Sequence, residues 1–252
     1  MDNLWIYGCS HSAGNLLGYH HSTDTNKVKL NDGICFMETK YTEWLNRIGK
    51  PFFVSLCESL NMNWMLRAEA GNSNQQQFKK LLEDLDKIKE NDIIIFGLTH
   101  FIRFEVPIKQ NGKWISDGWQ KGNNEHINDT DYQHYYLTQL AFGDWFIIEN
   151  VKQILLLLNY IETKIGAKVF IWSYDNIETT LEEYTNLLTY KNLVRFEIDG
   201  EIHTHLSAVT NFIDRNEKLC IRGEGNGIID DTHFGEIGHK FMYENILNFI
   251  KK

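Results

Sequence analysis

Two prolines, Pro51 and Pro107, are all that this 252-residue chain contains. No Pro- or Ser-rich stretch acts as a linker, so the expectation is one domain over residues 1–252. Cysteine is scarce too. Cys9, Cys35, Cys57 and Cys220 show no Cys-x-x-Cys spacing, so nothing supports a metal or redox site, and reduced thiols in a cytosolic protein are expected. There is no run of 18 apolar residues, which excludes an obvious membrane-spanning helix. The opening Met1-Asp2-Asn3 lacks the positive segment of a secretory signal, so a cytoplasmic location is the expectation. Positive charge is in deficit, with a formal net charge of −9 at pH 7. A nucleic-acid backbone is therefore not an expected partner. Low proline with abundant Asn, Ile and Lys suits an AT-rich genome of bacterial or phage type.

What is present is ordinary globular composition, 42% hydrophobic and 23% charged, with length enough for a large core. Leu4–Tyr7 reads as a short buried strand, and Ile93–Phe96 within Asp92–Gly97 as another. Asn63–Arg67, Lys168–Trp172 and Leu193–Glu197 read as further strands. Helical spacing marks Tyr41–Ile48, Phe52–Leu60, Gln75–Lys89, Ile147–Ile165, Thr179–Tyr190 and Glu236–Ile250. Pro51 suits the start of the second of these, Asn74 the cap of the third, and Gly166 the end of the fourth. The polar stretch from Gly8 towards residue 40 reads as a surface loop with a little helix. Strands that are apolar throughout and alternate with helices imply a parallel sheet covered on both faces. The expected class is α/β, a three-layer α/β/α sandwich with a flavodoxin-like sheet. Chemistry should then lie beyond the carboxyl ends of the strands.

Two segments stand out at such places. Gly8-Cys9-Ser10 follows the first strand and delivers a hydroxyl to the sheet edge. Asp230-Asp231-Thr232-His233 sits just before the last helix. A serine hydroxyl needs an adjacent base to attack a carbonyl; His233 can be that base, with Asp230 fixing its tautomer. Each segment alone also reads blandly, the first as a turn or helix cap and the second as an N-terminal cap.

With two further segments the set resembles the SGNH (GDSL-like) hydrolase superfamily. Gly8-Cys9-Ser10 stands where that family has Gly-Asp-Ser. Ala70-Gly71-Asn72-Ser73-Asn74 resembles its second block, Gly97-Leu98-Thr99-His100 its Gly-x-Asn block, and Asp230-x-x-His233 its last. The order agrees along almost the whole chain, though matching residues are few. The resemblance implies Ser10, Asp230 and His233 as the catalytic triad. It implies an oxyanion hole from Ser10 N–H, Gly71 N–H and the residue at Thr99, where the family has asparagine. Thr99 is the main departure, since its hydroxyl is shorter and its rotation restricted; His100 is another donor for that place. Cysteine at position 9 replaces an aspartate outside the triad, and its thiol as nucleophile remains an alternative to the inert-core reading.

Asn72, Asn74, His100 and Arg103 are the candidate substrate contacts. Arg103 suits a carboxylate or phosphate, or a structural pair with Glu105. His203-x-His205 lacks a third ligand for a metal, and His239 reads as a helix-surface residue. Residues 101–145, rich in aromatics such as Trp114, Trp119 and Tyr135, resist assignment and form an expected insert over the site. They are either a substrate wall or packing. The expected function is a serine esterase needing no metal or cofactor, acting on a small-molecule or carbohydrate ester. An O-acyltransferase with the same triad and a catalytically degenerate binding or structural protein are the alternatives.

Overall fold

Leu4, Trp5, Ile6 and Tyr7 are apolar at four consecutive positions, so the strand they form must be covered on both sides. The computed structural model bears this out. It describes residues 2–9, 28–29, 35–36, 51–68, 72–99, 101, 104–110, 113–119, 145, 147–175, 185–187, 190–198, 200–205 and 236–252, with backbone alone for 28–29, 35–36, 104–110, 113–119 and 236–237. Strand β1 (Asn3–Tyr7) pairs in parallel with β4 (Asn63–Leu66) on one side and β5 (Ile93–Leu98) on the other; β5 pairs in parallel with β8 (Lys168–Ser173). The sheet order is β4-β1-β5-β8. Beyond β8, a parallel bridge joins Ile171 to Leu193, and Val194 N–H donates to Ile171 O at 2.7 Å. Numbered along the chain, the parallel elements lie in the order 2-1-3-4-5, the flavodoxin-like arrangement. The order reverses between β1 and β5, and such a switch point is where these sheets bind ligands.

Side chains alternate across each strand, and the core divides accordingly. Leu4 and Ile6 of β1, Ile93 and Ile95 of β5, and Phe170 and Trp172 of β8 pack with α1 (Phe52–Leu60) and α4 (Glu236–Ile250). Trp5 and Tyr7, Ile94, Phe96 and Leu98, and Val169 and Ile171 pack on the opposite face. There they meet α2 (Asn74–Glu83) and α3, an α-helix over 147–160 that passes into a π turn at Ile161–Ile165. This is the three-layer α/β/α sandwich with a parallel sheet that the sequence implies. Gly166 ends α3 at φ +85°, where an added Cβ would lie 3.2 Å from Glu90 Cγ.

Two buried acids tie the sheet to its neighbours. Asp92, directly before β5, accepts from Asn3 N–H (2.8 Å), Trp5 Nε1 (2.9 Å) and Lys89 N–H (3.1 Å). Asp84, at the end of α2, accepts from the Tyr7 hydroxyl (3.1 Å) and Lys87 Nζ (3.1 Å). Its carboxylate lies 2.6 Å from Arg67 Nε, a charge contact without hydrogen-bond alignment. Among the described residues no helix is long and apolar enough to cross a membrane.

Several expectations are corrected. Helix α2 stops at Glu83, short of Lys89, because Asp84 turns inward to Tyr7 and Arg67. Its cap is Ser73 rather than Asn74: Ser73 Oγ accepts from Gln76 N–H, while Gln76 Oε1 accepts from Ser73 N–H. Strand β5 continues through Gly97 and Leu98, paired with Trp172 and Ser173. The stretch expected as a strand at Leu193–Glu197 is a bridge at Leu193 followed by the antiparallel hairpin of β9 (Phe196–Ile198) and β10 (Glu201–His203). Part of the region left unassigned is a second hairpin, β6 (Phe104–Gln110) with β7 (Lys113–Trp119). In the stretch read as loop with a little helix, β2 (Val28–Lys29) pairs antiparallel with β3 (Cys35–Phe36). His239 is 1% exposed rather than on the surface, since it stacks on Phe52 with ring centroids 6.2 Å apart. Asn186, Leu187 and Tyr190 are not helical, whereas 176–184 and Tyr41–Ile48 lie outside the described residues.

Candidate active site

The carboxyl edge of the sheet is assembled from main-chain ends that α2 holds in place. Strand β1 leaves the sheet at Gly8, whose φ is +150°, a conformation open to glycine but strained for other residues. Gly8 N–H donates to Gln77 Oε1 at 2.8 Å, and Gln77 Nε2 donates back to Gly8 O. Gln77 is fully buried on α2. One turn earlier on the same helix, Asn74 does the same to β5. Thr99 N–H donates to Asn74 Oδ1 at 2.8 Å, and Asn74 Nδ2 donates to Thr99 O at 3.2 Å. Asn74 and Gln77 are three residues apart and so share a helix face. One helix thereby registers the ends of β1 and β5 against each other at the switch point.

The neighbouring ends are tied as well. Arg67 N–H and Ala68 N–H both donate to Ile6 O, at 2.8 and 2.9 Å, closing β4 onto β1. Beyond β8, Tyr174 N–H donates to Leu98 O at 2.9 Å, and the Asp175 carboxylate accepts from Phe101 N–H at 2.7 Å. The segments after β1, β4, β5 and β8 therefore converge on one edge. The β6–β7 hairpin runs beside α2.

Helix α4 reaches the same edge with its N-terminal end. α1 precedes β4 and runs antiparallel to it, so Phe52 marks the carboxyl edge and Ser59 the opposite one. On α4, His239 stacks on Phe52, while the Tyr243 hydroxyl lies 2.8 Å from Ser59 Oγ one turn later. α4 therefore starts at the carboxyl edge, and Asp230-x-x-His233 precedes its first residue, Glu236, by only a few residues.

Of the residues singled out from sequence, Asn72, Asn74 and Thr99 are brought together here. All three are buried, Thr99 completely and the asparagines at 5% exposure. The Asn74 carboxamide has both polar atoms committed to the Thr99 main chain. Ser10, Gly71, His100, Arg103, Asp230 and His233 lie outside the described residues. Cys9 is fully buried beside Gly8. Tyr7, whose ring points to the α2 side, has its phenol held well above the usual tyrosine range, first by burial and then by the Asp84 charge and hydrogen bond. Sequence reading missed Gln77 and Asp175. For Gln77 a signal exists, because its spacing from Asn74 and from buried Leu81 marks the inner face of α2.

No family model and no curated protein matches the chain. Among solved structures it is similar to a crystal structure from Parabacteroides merdae ATCC 43184 provisionally described as a GDSL-like lipase. That likeness is at 11% identity and a TM-score of 0.43, covering 99% of this chain and 95% of the other.

Proposed function

We propose that the protein is a serine esterase of SGNH type, acting on an ester of a small molecule or an O-acyl group of a carbohydrate. The observation that carries this reading is the pair of double hydrogen bonds, Gln77 to Gly8 and Asn74 to Thr99. These bring the first, second and third motif segments to one point of the sheet. Chain connectivity supports the remainder of the reading, since Ser10 follows Gly8 by two residues, Gly71 adjoins Asn72 and His100 adjoins Thr99 in the sequence. Asp230 and His233 stand six and three residues before Glu236, the first residue of α4, whose N-terminal end lies at the same edge; this supports their membership of the site.

In this reading Ser10 Oγ attacks the ester carbonyl as His233 takes its proton, and Asp230 stabilises the imidazolium. The developing oxyanion accepts from Ser10 N–H, Gly71 N–H and the Thr99 hydroxyl or His100. Collapse returns the proton to the leaving alcohol and leaves an acyl group on Ser10. Water, deprotonated by His233, then releases the acid. No metal or organic cofactor is required. Asn72, His100 and Arg103 remain the candidate substrate contacts, Asn74 being committed to the Thr99 main chain, and the 101–145 insert would lie over the entrance.

The test is covalent labelling. A fluorophosphonate should modify the wild type at Ser10, mapped by peptide mass, and Ser10→Ala should lose both labelling and hydrolysis of short aryl esters. A Ser10→Ala variant as active as wild type would sink the assignment. Faster acyl transfer to an added alcohol than to water would identify an acyltransferase using the same triad.

A further inference from the structure

We propose that Gln77 is a positioning residue of this site, acting through Gly8 on the direction in which Ser10 is presented; the role rests on the esterase reading above. Gln77 is completely buried, and both polar atoms of its carboxamide bond the main chain of Gly8. That residue stands where β1 departs from the sheet. Tyr7 still pairs with Phe96 of β5, whereas Gly8, at φ +150°, has turned out of the ladder. Glycine has the widest choice of backbone conformations, and the chain reaches Ser10 two residues later. A carboxamide bonded to both N–H and C=O of Gly8 does for this peptide what a neighbouring strand does for the rest of β1. Space filling alone does not call for an amide here. Leu81, one turn further along α2, packs against the same face as a plain hydrocarbon, and an apolar group of similar size would avoid burying polar atoms.

The test uses two variants. Gln77→Glu keeps the shape. When ionised, the introduced carboxylate still accepts from Gly8 N–H but repels Gly8 O. When protonated, its hydroxyl can donate to Gly8 O, which restores the original pattern. Gln77→Met keeps the volume and can do neither. The charged groups set along this helix and its partners are Arg67, Lys79, Lys80, Glu83, Asp84 and Lys87, with Tyr7 hydrogen-bonded to Asp84. They are the same in wild type, so rates are taken as ratios to wild type at each pH. The expected result for Gln77→Glu is a kcat on 4-nitrophenyl acetate about 10- to 100-fold below wild type in mild alkali. KM should change far less, and the kcat ratio should climb back as the pH is lowered. Gln77→Met stays low throughout. A Gln77→Glu enzyme that matches wild type at every pH overturns the proposal.

Amide hydrogen exchange separates this claim from the esterase reading. Peptides spanning residues 6–12 should exchange faster in both variants at neutral pH, with those of α3 unchanged. Unaltered exchange over 6–12 overturns the positioning role whatever the activity. A wild type that takes no fluorophosphonate at Ser10 overturns the esterase reading and the catalytic part of this one, and faster exchange alone would then uphold the hold on Gly8.

Discussion

Asn74 and Thr99 are joined in both directions, amide to main chain and main chain to amide, as two strands would be. Asn74→Asp removes one of these bonds without changing shape, since a carboxylate accepts from Thr99 N–H but cannot donate to Thr99 O. The pair is buried, so stability should fall by about 1–3 kcal/mol, read from the urea midpoint. If the Thr99 end of β5 borders the reacting centre, ester hydrolysis should fall further than the folded fraction does.

Thr99→Val is nearly isosteric and deletes only the hydroxyl. Should that hydroxyl serve the oxyanion, kcat on an aryl ester should drop by about 10²-fold with the fold intact. An unchanged kcat would pass the role to His100, and His100→Ala would then show the loss.

Gly8→Ala adds a Cβ at a backbone angle that L side chains rarely adopt. The strain should cost about 1–3 kcal/mol of stability. Circular dichroism against denaturant measures it, and a full-strength Gly8→Ala protein would show that the chain turns differently after β1.

Alkaline pH should unfold the protein through Tyr7. Burial, then Asp84, hold its phenol well above the usual value of 10.0. In the unfolded chain an ordinary tyrosine loses its proton near pH 10, while the folded one keeps it. The stability conferred is thus fully present below about pH 10 and falls as pH rises beyond it, by at most about 1.4 kcal/mol per unit for this group. Tyr190, pushed up to about 12 by burial and then Glu162, acts in the same direction. So does Cys57, pushed up to about 12 by burial and then Glu58, whose effect begins lower, near pH 9. Urea midpoints between pH 9 and 11.5 should decline in wild type and decline less steeply in Tyr7→Phe.

The sheet is legible in the sequence because its inner strands are covered on both faces and so are apolar at every position. Ile93-Ile94-Ile95-Phe96 can be little else when an aspartate precedes it and a glycine follows. Gly166 is equally plain as the stop of α3. The hairpins are harder, because their residues answer to turn chemistry more than to burial. Asn111-Gly112 between β6 and β7, and Asp199-Gly200 between β9 and β10, are nonetheless the dipeptides that two-residue turns favour. The cap of α2 is misread because Ser73 and Asn74 are both good caps. The deciding feature is Gln76, three residues after Ser73, which completes a capping box. His239 joins Met242 and Ile246 at helical spacing on a buried face, a pattern that outweighs its polarity. At the site, the run Gln75-Gln76-Gln77 hides the important residue among three identical ones. Only the phase of α2 tells which of them turns inward, and only the folded sheet shows what it meets.

The π turn at Ile161–Ile165 has a consequence for how the chain tolerates changes in length. Gly166 N–H reaches back five residues to Ile161 O, one more than an α-helix spans. Those residues thus hold one more than an α-helical path between the same ends would need. Deleting a single residue there would let the helix close in regular α form and still arrive at Gly166, so a shortened chain would lose a bulge and keep the entry into β8.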